Sequence, residues 1–97
     1  MRDRKRSNMK AVVLYELGSA TMDLVKAVYP RHKKHVDEYY ARGKLIAVGT
    51  FKYPGEGSMG IFADRESVEA FVKADPFVVE NLVGKVTIRE WNEILMK

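Results

Sequence analysis

Lys44–Ala63 reads KLIAVGTFKYPGEGSMGIFA, a β-branched and apolar run, a turn dense in proline and glycine, and a second apolar run. Two such runs joined by a short Gly/Pro segment describe an antiparallel hairpin. The expected strands are Lys44–Lys52 and Met59–Ala63, with YPGEGS as the turn. Upstream, residues 20–42 are helical in character but contain Pro30. Proline is accepted in the first turn of a helix and disrupts its interior. The expectation is therefore a short helix or loop over 20–28 and a main helix from about Pro30 to Arg42. Gly43 then supplies the left-handed stop that helices favour. Farther upstream, AVVLYEL after Lys10 reads as a strand, ended by Gly18 and Ser19.

Downstream of the hairpin, Asp64 is placed to cap a helix over Arg65–Ala74, in which Val68, Phe71 and Val72 recur at helical spacing. Asp75-Pro76 interrupts it, because the residue before proline avoids helical geometry. A further helical turn is expected over 76–82 and a last strand over Lys85–Leu95. The order β-α-β-β-α-β, with right-handed crossovers, gives an α+β fold: a ferredoxin-like antiparallel sheet with both helices on one face. The strands look apolar on both faces, Val12 and Leu14 opposing Val13, Tyr15 and Leu17, and Ile46 and Val48 opposing Leu45, Ala47 and Phe51. A half-solvated antiparallel sheet alternates with polar residues instead. A second copy is the economical cover, so a homodimer, sheet against sheet, is expected.

At 97 residues, with 46% apolar and 31% charged types, the chain has the length and composition of one globular domain rather than of a disordered segment. It has no cysteine, which excludes disulfides, thiolate metal ligands and a cysteine nucleophile. No apolar run approaches the ~18 residues of a membrane span. With no secretory signal visible, a cytoplasmic location is expected. Most of the net charge of +4 sits in residues 1–8, where Arg2, Arg4, Lys5 and Arg6 face only Asp3. That segment reads as a disordered basic arm, with MKAVVLYE from Met9 as the natural beginning of the domain over 9–97. The expected strand three, SMGIFA, lacks the basic, aromatic-rich motif of RNA-binding sheets, so no nucleic-acid partner is expected.

The chain contains two histidines, His32 and His35. On a helical wheel His32 falls with Val28, Val36, Tyr39 and Tyr40, four residues from each valine, whereas His35 lies at the margin and is expected near solvent. An inward imidazole needs partners for its nitrogens. It is either a core histidine bonded to a backbone carbonyl or a general base. Asp75 is the natural carboxylate to orient such a base, and equally a capping or turn aspartate at an Asp-Pro break. No carboxylate pattern completes a metal set around the histidines. Walker, dinucleotide and nucleophile-elbow motifs are absent.

Together, His32…Gly43-Lys44-Leu45…Gly49-x-Phe51, then Ser67…Ala70…Asp75-Pro76-Phe77, ending with Trp91, resemble the YciI-like (YCII-related) family. The histidine eleven residues before the glycine of GKL and the ADPF box carry most of the likeness. The resemblance covers the body from Met9 to Lys97. It implies a ferredoxin-like fold that dimerises into an α/β barrel, with a cleft in each subunit lined by a His–Asp pair. His32 and Asp75 are the matching positions. One relative removes chloride from a chlorinated aromatic diol or triol, and muconolactone isomerases share the broader barrel, but fold analogy assigns no substrate. This chain has Gly49-Thr50 where many members have Gly-Pro, which changes the hydrogen bonding of the pocket rim. The stretch between Gly18 and Pro30 varies among members and is a candidate flap.

The expected function is that of a small cofactor-independent enzyme, a lyase or isomerase acting on a cyclic or aromatic small molecule. His32 would be the acid–base group and Asp75 its orienting partner. Tyr15, Phe51, Phe77 and Trp91 would form the apolar substrate wall. No metal or cofactor is expected. The alternative is a non-catalytic small-molecule-binding or accessory module built on the same dimer.

Overall fold

A computed structural model describes residues 9–94 of the chain. The expected basic arm at residues 1–8, and Leu95 at the end of the expected last strand, lie outside the described residues. In chain order the elements are β1 (Lys10–Leu17), α1 (Met22–Ala41), β2 (Leu45–Thr50), a single 3₁₀ turn (Pro54–Glu56), β3 (Ser58–Phe62), α2 (Arg65–Ala74), α3 (Pro76–Val79) and β4 (Val83–Trp91). The strands form one four-stranded sheet, ordered β2-β3-β1-β4, in which every neighbouring pair is antiparallel. This is the split βαβ arrangement expected from the hairpin and its flanking helices. The last strand starts and ends earlier than expected: its ladder stops at Trp91 because its partner strand begins there, at Lys10.

The core lies between the sheet and the helices. Ala11, Val13 and Tyr15 of β1, Leu45 of β2, Phe62 of β3, Tyr39 of α1, and Val68 and Phe71 of α2 form one buried cluster there. Asp64 caps α2 through Ser67 N–H (2.8 Å), as read, and Thr21, a cap not anticipated, starts α1 through Leu24 N–H (3.3 Å). Gly43, at φ +74°, ends α1, with its own N–H and that of Lys44 donating to the carbonyls of Tyr40 and Tyr39.

Pro30 does not break the helix. The segment expected to be a loop, short helix or flap is the first part of one 20-residue helix. Val28 on one side of the proline and Tyr39 on the other are both buried. Pro30 and Lys26, whose carbonyl loses its helical donor, are exposed, so water can satisfy that carbonyl. Burying a valine stabilises by roughly 1.5–3 kcal/mol, which offsets most of the proline penalty of about 3 kcal/mol. Pro30→Ala is accordingly expected to stabilise the fold by about 1–3 kcal/mol. A rise in the urea midpoint at unchanged slope is the measurement.

Two register effects separate the observed faces from the expected ones. Along β2 the pairing passes from Leu45↔Phe62 to Ala47↔Ile61, a bulge that reverses the alternation. Val48 therefore stands on the helix side with Leu45, and Phe51 is turned to the other side. On α1, His35 packs inward and Tyr40, expected inside, is 65% exposed. The docked stripe follows residues 28, 32, 35 and 39, the i, i+4, i+7, i+11 series. The hydrophobicity of Tyr40 drew the expected stripe off this line.

Candidate active site at the helix–sheet junction

Asp75 sits between α2 and α3, fully buried at 0% exposure. Pro76 stops α2 and starts α3, and the Asp75 carboxylate caps the new turn by accepting from Phe77 N–H through Oδ1 (3.0 Å). The same Oδ1 lies 2.7 Å from His32 Nδ1. The other oxygen, Oδ2, accepts from the Tyr15 hydroxyl at 2.6 Å. The two readings of Asp75, cap and orienting carboxylate, are thus both realised by one side chain. Phe77 then lies flat on the imidazole of His32, with centroids 4.0 Å apart and planes 10° from parallel.

The electrostatics follow from this geometry. Burial pushes the Asp75 carboxyl up, but hydrogen bonds from His32 and Tyr15, the His32 charge and the Phe77 N–H outweigh it. The carboxyl is held below the usual carboxylate range and is ionised at neutral pH. Burial, then the hydrogen bond to Asp75 and its negative charge, push the Tyr15 phenol far above its ordinary value, so it stays a donor. An ionised carboxylate only accepts, so His32 Nδ1 carries the proton. In the neutral ring the lone pair is then on Nε2. The arrangement suits general acid–base work: one nitrogen takes or gives a proton, and the buried anion stabilises the imidazolium that results.

His32 keeps 15% of its side-chain surface exposed. It lines a narrow cleft of about 30 Å³ together with Val13, Tyr15, Val48, Ser58, Gly60, Met59, Phe62 and Phe71. That volume is about enough for one water. Val48, 51% exposed on the edge strand, stands at its rim. A larger open hollow of about 550 Å³ is lined by Leu14, Tyr15, Glu16, Leu17, Phe51, Gly55 and Glu56. Size favours that hollow, but the imidazole bonded to the perturbed carboxylate lines the cleft, and perturbed titratable groups are the better guide to chemistry.

Of the six residues expected in the site, four come together: His32, Asp75, Tyr15 and Phe77. Phe51 and Trp91 do not join them. Phe51 lines the hollow with Leu14 and Glu16, because the β2 bulge reverses its side. Trp91 pairs with Lys10 and shares the face of Val12 and Leu14, at the end of β4 remote from Val86, the partner of Tyr15. Val48 and Ser58 were not anticipated; a bulge hidden from the sequence pattern places the first. His35, expected near solvent, donates from Nε2 to the Phe71 carbonyl (2.9 Å) and stacks against that ring. It is the carbonyl-bound core histidine that the sequence offered as one reading of His32. Among the described residues, no three His, Cys, Asp or Glu side chains converge as a metal-binding group. Nor is any described helix long and apolar enough to cross a membrane.

Fold and site together define an α+β domain of ferredoxin-like architecture with a buried His–Asp pair under its sheet. The family model of the YCII-related domain matches residues 9–92, and the chain belongs to that family. Among solved structures it resembles the 5-chloro-2-hydroxyhydroquinone dehydrochlorinase of Burkholderia phenoliruptrix AC1100, solved with 2,5-dihydroxybenzoquinone. That match has 19% identity and a TM-score of 0.68, over 87% of this chain and 94% of the other. It also resembles a conserved protein from Methanosarcina mazei Go1, at 14% identity and TM-score 0.60, over 92% and 99% of the two chains. A dimeric ferredoxin-like protein of unknown function from Bacteroides fragilis NCTC 9343 matches at 17% identity and TM-score 0.53, over 88% and 95%. Identities this low speak for the fold alone. No curated protein matches the sequence.

Proposed function

We propose that this protein is an acid–base enzyme of lyase or isomerase type, acting on a cyclic or aromatic small molecule. The observation that carries the reading is the 2.7 Å contact between His32 Nδ1 and a fully buried, ionised Asp75. His32 Nε2 takes a proton from an acidic hydroxyl or carbon of the ring. In a lyase reaction a leaving group departs from a neighbouring atom; in an isomerase reaction the proton returns elsewhere on the ring. The chlorinated ring named for the dehydrochlorinase of like fold is a substrate of this kind. A ring-sized guest has to displace wall side chains of the cleft, of which Val48 stands at the exposed rim. The test is a turnover screen over chlorinated hydroquinones and lactones, with His32→Gln as the comparison. Turnover by the wild type that the variant lacks supports the reading. Ligand binding that depends on His32 without turnover would establish the binding-module alternative instead.

The homodimer belongs to the same proposal. The sheet face away from the helices carries Val12, Leu14, Met59 and Ile61, each left partly uncovered. A second copy is a suitable cover, and the Bacteroides neighbour is itself dimeric. Light scattering at micromolar concentration is expected to give about twice the 11.1 kDa chain mass. A value at the single-chain mass would refute the pairing.

A further inference from the structure

Tyr15 was expected to form part of a substrate wall, yet its hydroxyl is already committed. It is 8% exposed and donates to Asp75 Oδ2 at 2.6 Å, across 60 positions of sequence. A phenylalanine would fill the same core volume. A buried hydroxyl is costly unless a hydrogen bond offsets it, so the one it makes is the reason to look for a role. The carboxylate it meets is held at both ends. Oδ1 receives His32 Nδ1–H and Phe77 N–H, and Oδ2 receives Tyr15. The phenol also comes from an interior strand of the sheet. Tyr15 is paired on both sides, to Ser58 and to Val86. Gly57, at φ +89°, passes so close that any Cβ there would strike the Tyr15 carbonyl oxygen. His32 and Asp75, by contrast, sit on a helix and at a helix break.

We infer that Tyr15 is a positioning residue: its hydroxyl pins the second oxygen of Asp75 to the sheet and so fixes the carboxylate plane that aims His32 Nε2 at the cleft. The inference rests on the acid–base role proposed for His32. Tyr15 keeps its proton throughout, and its hydroxyl acts through Asp75 rather than on the substrate. Without it the carboxylate can turn about its Cβ–Cγ bond, and the imidazole loses a fixed orientation.

The experiment is Tyr15→Phe, read in two ways. Carboxyl-carbon NMR of Asp75 follows its titration without any substrate. The midpoint is expected to move to higher pH in the variant, since one hydrogen bond to the charged form is gone. With the substrate found by the screen, kcat is expected to fall about tenfold at little-changed KM, the size of one hydrogen bond to a charged group. Added to Asp75→Asn, the substitution is expected to change kcat little further, because the two residues act as one unit. An unmoved Asp75 titration with unchanged kcat overturns the inference. A risen KM at constant kcat overturns it in favour of direct substrate contact. Should Tyr15→Phe fail to fold, a ring-carbon label on tyrosine in the wild type gives the reading. Tyr15 is expected to remain a protonated phenol at every pH the fold survives, and titration like an exposed tyrosine would overturn the inference. The His32→Gln comparison judges the acid–base reading by itself, so failure of that reading is distinguishable from failure of this one.

Discussion

Asp75→Ala is expected to cost about 3–5 kcal/mol of stability, the loss seen when one partner of a buried charged cluster is removed. Three donors lose their acceptor at once: Tyr15 O–H, His32 Nδ1–H and Phe77 N–H. Each buried donor left alone is worth roughly 1–3 kcal/mol, and partial relaxation or an entering water keeps the total below the sum. Asp75→Asn is a milder change. The Phe77 N–H is a fixed donor, so the amide oxygen takes the Oδ1 position and still accepts from His32 Nδ1–H. The amide NH₂ then faces the Tyr15 oxygen, which can turn to accept. Asp75→Asn therefore keeps the geometry and tautomer of the imidazole and removes the charge alone, with a loss of about 1–2 kcal/mol. Urea unfolding followed by circular dichroism measures both. An alanine variant within about 1 kcal/mol of wild type would mean that the cluster is not closed as described.

The pH dependence of this loss has a definite sign. The folded Asp75 carboxyl lies below its ordinary value, with burial opposing and the His32 and Tyr15 hydrogen bonds prevailing. Its stabilising contribution is therefore complete above the unfolded carboxyl value of about 3.9. It is lost as pH falls from there through the folded value. The stability gap between wild type and Asp75→Asn is expected to be widest near neutrality and to narrow steadily on acidification below about pH 5. A gap that stays constant into acid would contradict the lowered carboxyl.

The second large effect falls on turnover. His32→Gln is expected to reduce kcat by about 10²–10⁴-fold, the usual worth of a general acid–base group, or about 3–5 kcal/mol of barrier. Glutamine is the informative replacement because its amide can still donate to Asp75 while offering no nitrogen lone pair to take a proton. Fold and cleft should survive, as an unchanged near-ultraviolet spectrum would report. A variant that retains within about threefold of wild-type kcat would remove His32 from the chemistry.

Much of the architecture was legible because its causes are local. The hairpin follows from two β-branched runs around a Pro/Gly turn, the end of α1 from Gly43, and the start of α2 from Asp64. Asp75-Pro76 located the helix break that holds the carboxylate. His32 pointed inward as its spacing from Val28 and Val36 required. The family likeness singled out His32 and Asp75 as a pair, which spacing alone did not, and the two side chains are in direct contact. Phe51 shows where alternation fails: one bulge in β2 exchanges the faces of everything beyond it. His35 and Tyr40 show the same for a helix, since a stripe drawn by hydrophobicity need not be the stripe that docks.

The sequence by itself determined the order of elements, the caps and stops, the β2–β3 hairpin and the residue types from which a base and its carboxylate could be drawn. Each of those depends on forces acting within a few residues along the chain. Tertiary structure alone decided that Pro30 stays helical, that Phe51 and Trp91 lie across the sheet from the cleft, and that Tyr15 meets Asp75. Those outcomes depend on how helices are rotated onto the sheet and on strand register. Contacts 43 and 60 positions apart, such as His32–Asp75 and Tyr15–Asp75, exist only once both are set.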